Sequence, residues 1–293
     1  MKTIAGAAFL VTLTAASVQP VHAADAKVTI VAAENFYGDV ANQIGGERVA
    51  VESVMSNPDQ DPHLFETTPS VVRQTGAAQI VIYNGADYDP WMEKLLKAAP
   101  STGRVVINVG VLVGKKPGDN PHLWYDPQTM PKVAEALADG LSKADPSHRK
   151  AYAARRKAFA DSLKPISEKI AAIASKYAGA PVTASEPVFG YMAAALKLKM
   201  RNEHFQIAIM NNTEPSARDV AAFQDDLNSH RVKVMFYNKQ ASDKIVQTLV
   251  GIAHQSKVPV VGVTETEPAG MTYQKWMLSE LNDTEAALTG QSQ

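Results

Sequence analysis

Short β-branched runs alternate with amphipathic stretches along most of this chain. The runs are residues 28–31, 49–54, 80–83 and 105–109, followed, beyond a long helical middle, by 182–184, 232–237 and 258–263. Near-continuous apolar runs of this length, set between helical segments, are the pattern of parallel strands covered on both faces, so the fold class is α/β. The middle divides the strands into two sets. Asp126-Pro127 opens one helix, with Met130, Val133, Ala134, Leu137 and Leu141 on one face. Asp145-Pro146 opens another, whose stripe of Tyr152, Phe159, Leu163, Ile166, Ile170, Ile173 and Tyr177 runs to Gly179. At 1.5 Å per residue this second helix is roughly 45–50 Å long, more than one small lobe is wide. It is therefore expected to be a strut over 145–179 that links a first lobe, 24–144, to a second, 180–293. Pro165 lies inside it and frees the carbonyl of Asp161, which predicts a kink with the apolar phase kept. Its basic side, with Arg149, Arg155, Arg156 and Lys164, reads as a solvated face.

The first residues stand outside this alternation. Lys2 supplies a charged start, an apolar run covers 4–18, and Val21-His22-Ala23 before Ala24-Asp25 has the small-residue spacing of a signal-peptidase site. The run is short and ends at Pro20, which fits a cleaved export signal, 1–23, better than a membrane anchor. Cleavage would leave 270 of the 293 residues and take the formal net charge from −1 to −2 with the loss of Lys2. There is no cysteine, which excludes thiolate sites, disulfides and a lipidated cysteine after the cleavage point. With 29 Lys+Arg against 30 Asp+Glu the chain has no electrostatic footprint for nucleic acid. The expectation is a soluble, unlipidated, monomeric periplasmic protein, and any metal in it must sit on nitrogen and oxygen.

Six histidines remain after the leader. His230 and His254 fall at the ends of helical patterns, His148 in the first turn of the strut and His204 in a polar connector, all with ordinary structural or surface explanations. His63 and His122 differ, because each sits in the same pattern: Pro62-His63-Leu64-Phe65 and Pro121-His122-Leu123-Trp124. The proline fixes its own φ and restricts the residue before it, while the Leu-aromatic pair can anchor the loop in a core. An imidazole held that way gives up little entropy on binding, which suits a metal ligand. Both loops follow a strand run, and in open α/β sheets ligands bind beyond the carboxyl ends of strands. At the corresponding places of the second lobe stand Glu186, in Ser185-Glu186-Pro187, and Glu265 and Glu267, in Thr264-Glu265-Thr266-Glu267-Pro268.

Taken together, the leader, the two lobes on one strut, Asp61-Pro62-His63-Leu64-Phe65-Glu66 and Asn120-Pro121-His122-Leu123-Trp124-Tyr125-Asp126 resemble the solute-binding proteins of ABC-type zinc/manganese importers. Ile80-Val81-Ile82-Tyr83-Asn84-Gly85 and Asp89-Pro90-Trp91-Met92 also resemble that family's segment between the two histidine loops. The resemblance implies two lobes, each a mainly parallel sheet flanked by helices, joined by one long interdomain helix. It implies one divalent metal ion as cargo, an ABC-type membrane permease as partner, and no enzymatic activity. His63 and His122 match its two histidine ligands, and Glu186 its third ligand in the glutamate form. Its fourth, commonly an aspartate after the last strand, falls on Glu265 here, with Glu267 as the alternative. The histidine-rich loop of many zinc-importing members is missing, since residues 111–120 contain no histidine. Two imidazoles and two carboxylates favour Mn²⁺, with Zn²⁺ next and Fe²⁺ third. The competing readings are a secreted metal-dependent hydrolase and a solute-binding protein for a small organic ligand. Neither a His-Glu-x-x-His helix nor a Gly-x-Ser-x-Gly elbow supports the first, and the second would not need paired Pro-His loops.

Overall fold

Every one of the apolar runs forms a strand, and every strand pairing is parallel. The structure, a computed structural model, describes residues 26–57, 65, 67–240 and 243–290; the leader and His63 lie outside them. The first lobe runs β1 (Val28–Glu34), α1 (Asn35–Gly45), β2 (Val49–Met55), α2 (Pro69–Ala77), β3 (Ile80–Tyr83), α3 (Pro90–Ala98), β4 (Val105–Asn108) and α4 (Val109–Val113), and α5 (Thr129–Ala144) follows. The connecting helix is α6 (Arg149–Ser162) and α7 (Lys164–Tyr177). The second lobe runs β5 (Pro181–Ala184), α8 (Gly190–Ala195), β6 (Lys199–Arg201), α9 (Glu203–Met210), α10 (Ala217–Asn228), β7 (Met235–Asn238), α11 (Lys244–Gln255), β8 (Val260–Val263) and α12 (Tyr273–Leu288).

Both sheets share one connectivity, with strand orders β2-β1-β3-β4 and β6-β5-β7-β8. The chain changes direction across the sheet between the first and third strands of each lobe, the place where such folds open a ligand crevice. Register makes the two crevices equivalent. Ala32 pairs with Ile82, which brings Glu34 level with Asn84; Ala184 pairs with Phe236, which brings Glu186 level with Asn238.

The connecting helix is interrupted for one residue, at Leu163, whose φ of −82° and ψ of −9° keep it right-handed. Its N–H reaches back to Ala160 O at 3.3 Å, tightening the turn just before Pro165, which has no N–H to offer Asp161. The apolar stripe therefore continues, with Tyr152, Phe159, Leu163, Ile166 and Ile173 all buried. His204 lies in the first turn of α9 rather than in a connector, because Asn202, with φ of 60°, lets the helix start directly after β6. That strand has no β-branched residue and sits at a sheet edge, so no apolar run announces it.

A single apolar core passes from one lobe to the other, taking in Phe36 and Val40 of α1, Trp124, Ile166 and Ile173 of the connecting helix, Phe189, Phe236 and Trp276 of α12. Smaller clusters lie apart from it in each lobe, around Trp91 and Leu95 in the first and Phe223 and Leu249 in the second. Within the shared core a chain of rings crosses the boundary: Phe36 to Trp124 at 4.6 Å, Tyr125 to Trp276 at 5.7 Å, Tyr125 to Phe189 at 5.3 Å and Phe189 to Phe236 at 4.5 Å between centroids. Parting the lobes would expose this surface at roughly 25 cal/mol per Å², so wide hinge opening is costly.

Glu280 is buried in this seam and accepts from Tyr125 Oη at 3.0 Å and Trp276 Nε1 at 2.8 Å. Burial pushes its carboxyl up to about 8. Unfolding therefore releases a proton between the ordinary carboxylate range and about pH 8, and the stability Glu280 allows falls as pH rises through that window. Glu280→Gln is expected to be more stable relative to wild type at pH 8 than at pH 5, in urea unfolding at both values; parallel changes would refute this.

Candidate metal centre

Groups from the carboxyl ends of strands in both lobes meet in one buried cluster. His122 is fully buried at the head of a single tight helical turn, Leu123–Tyr125, whose three side chains are buried in the shared core. This is the anchoring expected of the Leu-aromatic pair. Glu186 and Glu265 follow β5 and β8 and are also buried. His122 Nε2 faces Glu265 Oε2 at 3.5 Å and has no hydrogen-bond partner. The two carboxylates are held by one amide: Asn238 Nδ2 donates to Glu186 Oε1 at 3.2 Å and to Glu265 Oε1 at 2.7 Å. Tyr88 Oη donates to Glu265 Oε2 at 3.0 Å, and burial followed by the charge of Glu265 pushes the Tyr88 phenol well up, so it remains a donor. The backbone N–H of Glu265 donates to Gln240 Oε1 at 2.5 Å.

Glu267 has different neighbours. Its backbone N–H donates to Asn35 Oδ1 at 3.0 Å and its carbonyl accepts from Asn35 Nδ2 at 2.7 Å, which fixes the loop to α1 of the first lobe. Burial, then the charge of Asp39, push its carboxyl up to about 9, so it is held neutral beside α1. Among the described residues no group of three or more His, Asp or Glu side chains is gathered that could hold a metal ion. The ligand expected from the first Pro-His loop, His63, lies outside those residues.

A second acidic pair stands at the equivalent crevice of the first lobe. Burial, then the charge of Asp89, push the Glu34 carboxyl well above the carboxylate range. Asp89 itself accepts from the backbone N–H groups of Asn84 and Gly85 at 2.7 Å each, and burial raises it to about 6. Asn84 in turn donates to Pro121 O at 2.8 Å and accepts from Tyr37 Oη at 2.7 Å, so this network props the His122 loop from below. A groove of about 640 Å³ opens beside that loop; Asn120, Pro121 and Pro187, the chain neighbours of His122 and Glu186, contribute to its wall.

The model of the family described as zinc-uptake complex component A, periplasmic (ZnuA), matches residues 30–287 of this chain. The chain belongs to that family. As a ZnuA-family protein it is similar over most of its length to components of metal transport. The metal ABC transporter substrate-binding lipoprotein SloC of Streptococcus mutans is 25% identical over 279 residues, 88% of this chain and 90% of that protein. The manganese-binding lipoprotein MntA of Bacillus subtilis is 24% identical over 237 residues, 78% of this chain and 76% of that protein. In fold, the chain matches the periplasmic zinc binding protein TroA from Treponema pallidum with a TM-score of 0.74 at 19% identity, over 91% of this chain and 100% of that one. It matches the Mn-bound periplasmic metal binding protein from Candidatus Liberibacter asiaticus with a TM-score of 0.72 at 19% identity, over 89% and 100%.

Sequence reading assigns no role to two side chains that hold the Glu186 and Glu265 carboxylates, Tyr88 and Asn238. Asn238 had a signal, since an asparagine stands at the end of an apolar run in each lobe, Asn84 directly after Ile80–Tyr83 and Asn238 directly after residues 232–237. Tyr88 had none, because only the tertiary fold carries it to a loop 177 residues away.

Proposed function

We propose that this chain captures one divalent transition-metal ion between its lobes, on His63 and His122 from the first lobe and Glu186 and Glu265 from the second, and delivers it to an ABC-type membrane permease. The observation that carries this reading is the facing pair of His122 Nε2 and Glu265 Oε2, both buried and 3.5 Å apart, with no hydrogen-bond partner for Nε2. A cation resolves that contact, and Asn238 already aligns the second carboxylate beside it. Names of the relatives, which speak of manganese, zinc or metal without distinction, support the same cargo class. Two imidazoles with two carboxylates offer five or six contacts when a carboxylate is bidentate, which suits Mn²⁺ or Fe²⁺, while Zn²⁺ binds the same donors tightly in isolation.

Export follows the leader, 1–23, and the mature chain works in the periplasm as a monomer. SloC and MntA are lipoproteins by name. This sequence has no cysteine to carry a lipid, and among the described residues no helix is long and apolar enough to cross a membrane. Elemental analysis of protein from the periplasmic fraction, with Mn²⁺ and Zn²⁺ competition titrations, tests the whole reading. One ion per chain with at least micromolar affinity is expected, and no bound divalent ion would sink it.

Release requires the loops of Glu186 and Glu265 to part from the first lobe, since the shared core resists wide opening. Metal loading is accordingly expected to slow amide hydrogen exchange in residues 185–190 and 264–268. Identical exchange with and without metal would count against this route.

A further inference from the structure

We propose that Asn120 positions His122 for the metal and at the same time fastens its loop to the loop of Glu186, an inference that rests on His122 and Glu186 being ligands. Each half of the Asn120 amide has its own task. Oδ1 accepts from the backbone N–H of His122 at 3.1 Å and lies 2.7 Å from His122 Nδ1. Nδ2 donates to Pro187 O at 2.7 Å, across the lobe boundary and one residue beyond Glu186.

The amide cannot be turned over. Reversal would put its NH₂ against the N–H of His122 and its oxygen against the carbonyl of Pro187, two contacts between groups of the same kind. Because the atom facing Nδ1 is thus an oxygen, Nδ1 carries the ring hydrogen and Nε2 presents its lone pair. That is the form a metal needs at Nε2, and the opposite of the one that a free imidazole side chain favours in water. It also leaves Nε2 with no hydrogen to give Glu265 Oε2, which lies 3.5 Å away without a hydrogen bond to it. Without Asn120 the ring is free to carry its hydrogen on Nε2 and donate it to Glu265, closing the place where the ion binds.

The second lobe is built to receive this side chain. Tyr191 Oη donates to Asn120 O at 2.8 Å, and a Cβ at Gly190 would stand 3.0 Å from Asn120 Nδ2. The same residue that sets the ring therefore draws the Glu186 loop toward it, so that two ligands on different lobes are brought into register before the ion arrives. Partners of this kind that orient a ligating histidine are worth roughly 10–100-fold in metal affinity.

The test is side-chain ¹⁵N–¹H correlation NMR of the metal-free protein, combined with Mn²⁺ and Zn²⁺ affinities and dissociation rates of Asn120→Ala and Asn120→Asp. Wild-type His122 is expected with its hydrogen on Nδ1; a hydrogen on Nε2 overturns the proposal without any variant having to fold. Asn120→Ala should shift the hydrogen to Nε2 and weaken binding by about 10–100-fold, and an affinity within twofold of wild type overturns it. Asn120→Asp keeps the acceptor and loses the donor, so it should keep the Nδ1 hydrogen but release metal several times faster. An unchanged release rate would remove the fastening role. Normal metal binding by His122→Ala would instead refute the ligand assignment, and the wild-type NMR result would still report on Asn120 by itself.

Discussion

Glu265→Ala is expected to lower the affinity for Mn²⁺ and Zn²⁺ by more than about 100-fold, whereas Glu267→Gln leaves it within about threefold. Both residues are buried and both follow β8, so exposure does not separate them. Their partners do. Glu265 lies against His122 Nε2 and shares Asn238 Nδ2 with Glu186, while Glu267 is bound through its backbone to Asn35 and is held neutral by burial beside Asp39. Removing Glu265 takes away one anionic donor and leaves Tyr88 and Asn238 with hydrogens aimed at an empty place. An effect larger than that of a supporting residue, roughly 10–100-fold, is then the minimum for a ligand. Competition against a chromophoric chelator measures both variants on the same scale. The reverse ranking, with Glu267→Gln crippled and Glu265→Ala normal, would move the fourth ligand to Glu267.

Trp276→Ala should lower the melting temperature by roughly 10 °C with little change in metal affinity at temperatures where the variant is folded. The indole is almost fully buried between the lobes, 6.0 Å from Phe36, 5.7 Å from Tyr125 and 6.4 Å from Tyr273 between centroids. Its truncation opens a cavity in the seam, a change worth about 3–5 kcal/mol for a buried tryptophan. It also removes the Nε1–H that Glu280 accepts, leaving that buried carboxyl with less support. Trp276→Phe keeps most of the volume and should recover about half of the loss. Calorimetry of the metal-free protein provides the readout, and a melting temperature within about 2 °C of wild type for the alanine variant would show that the two lobes do not depend on this contact.

Much of the fold could be read from the order of residues because its signals are local. A parallel strand covered on both faces must be apolar on both faces, so seven of the eight strands among the described residues announce themselves as runs. The eighth, Lys199–Arg201, is three residues long at a sheet edge, and nothing about its composition demands burial. The connecting helix was legible from its stripe, and Pro165 marked the place near which it is interrupted, since both depend on helical periodicity and one missing N–H. His204 was misplaced because a polar helix start after a left-handed asparagine looks the same as a connector.

For the site, the sequence by itself determined which chemistry could be present: no thiolate, two histidines on twin Pro-His loops, and carboxylates beyond the strands of the second lobe. It could not choose between Glu265 and Glu267, because a two-residue step along an irregular loop carries no periodicity that says which side chain turns inward. Tertiary structure gives the two carboxylates different partners, Asn35 of α1 on the backbone of Glu267 and Asn238 and His122 against Glu265. It also turns His122 Nε2 toward Glu265, with Nδ1 against the amide oxygen of Asn120 two residues away, whose Nδ2 donates to the carbonyl of Pro187, 67 residues further along the chain. Local pattern fixes what a segment is; only packing of distant segments fixes where its polar atoms point, and metal binding depends on the second.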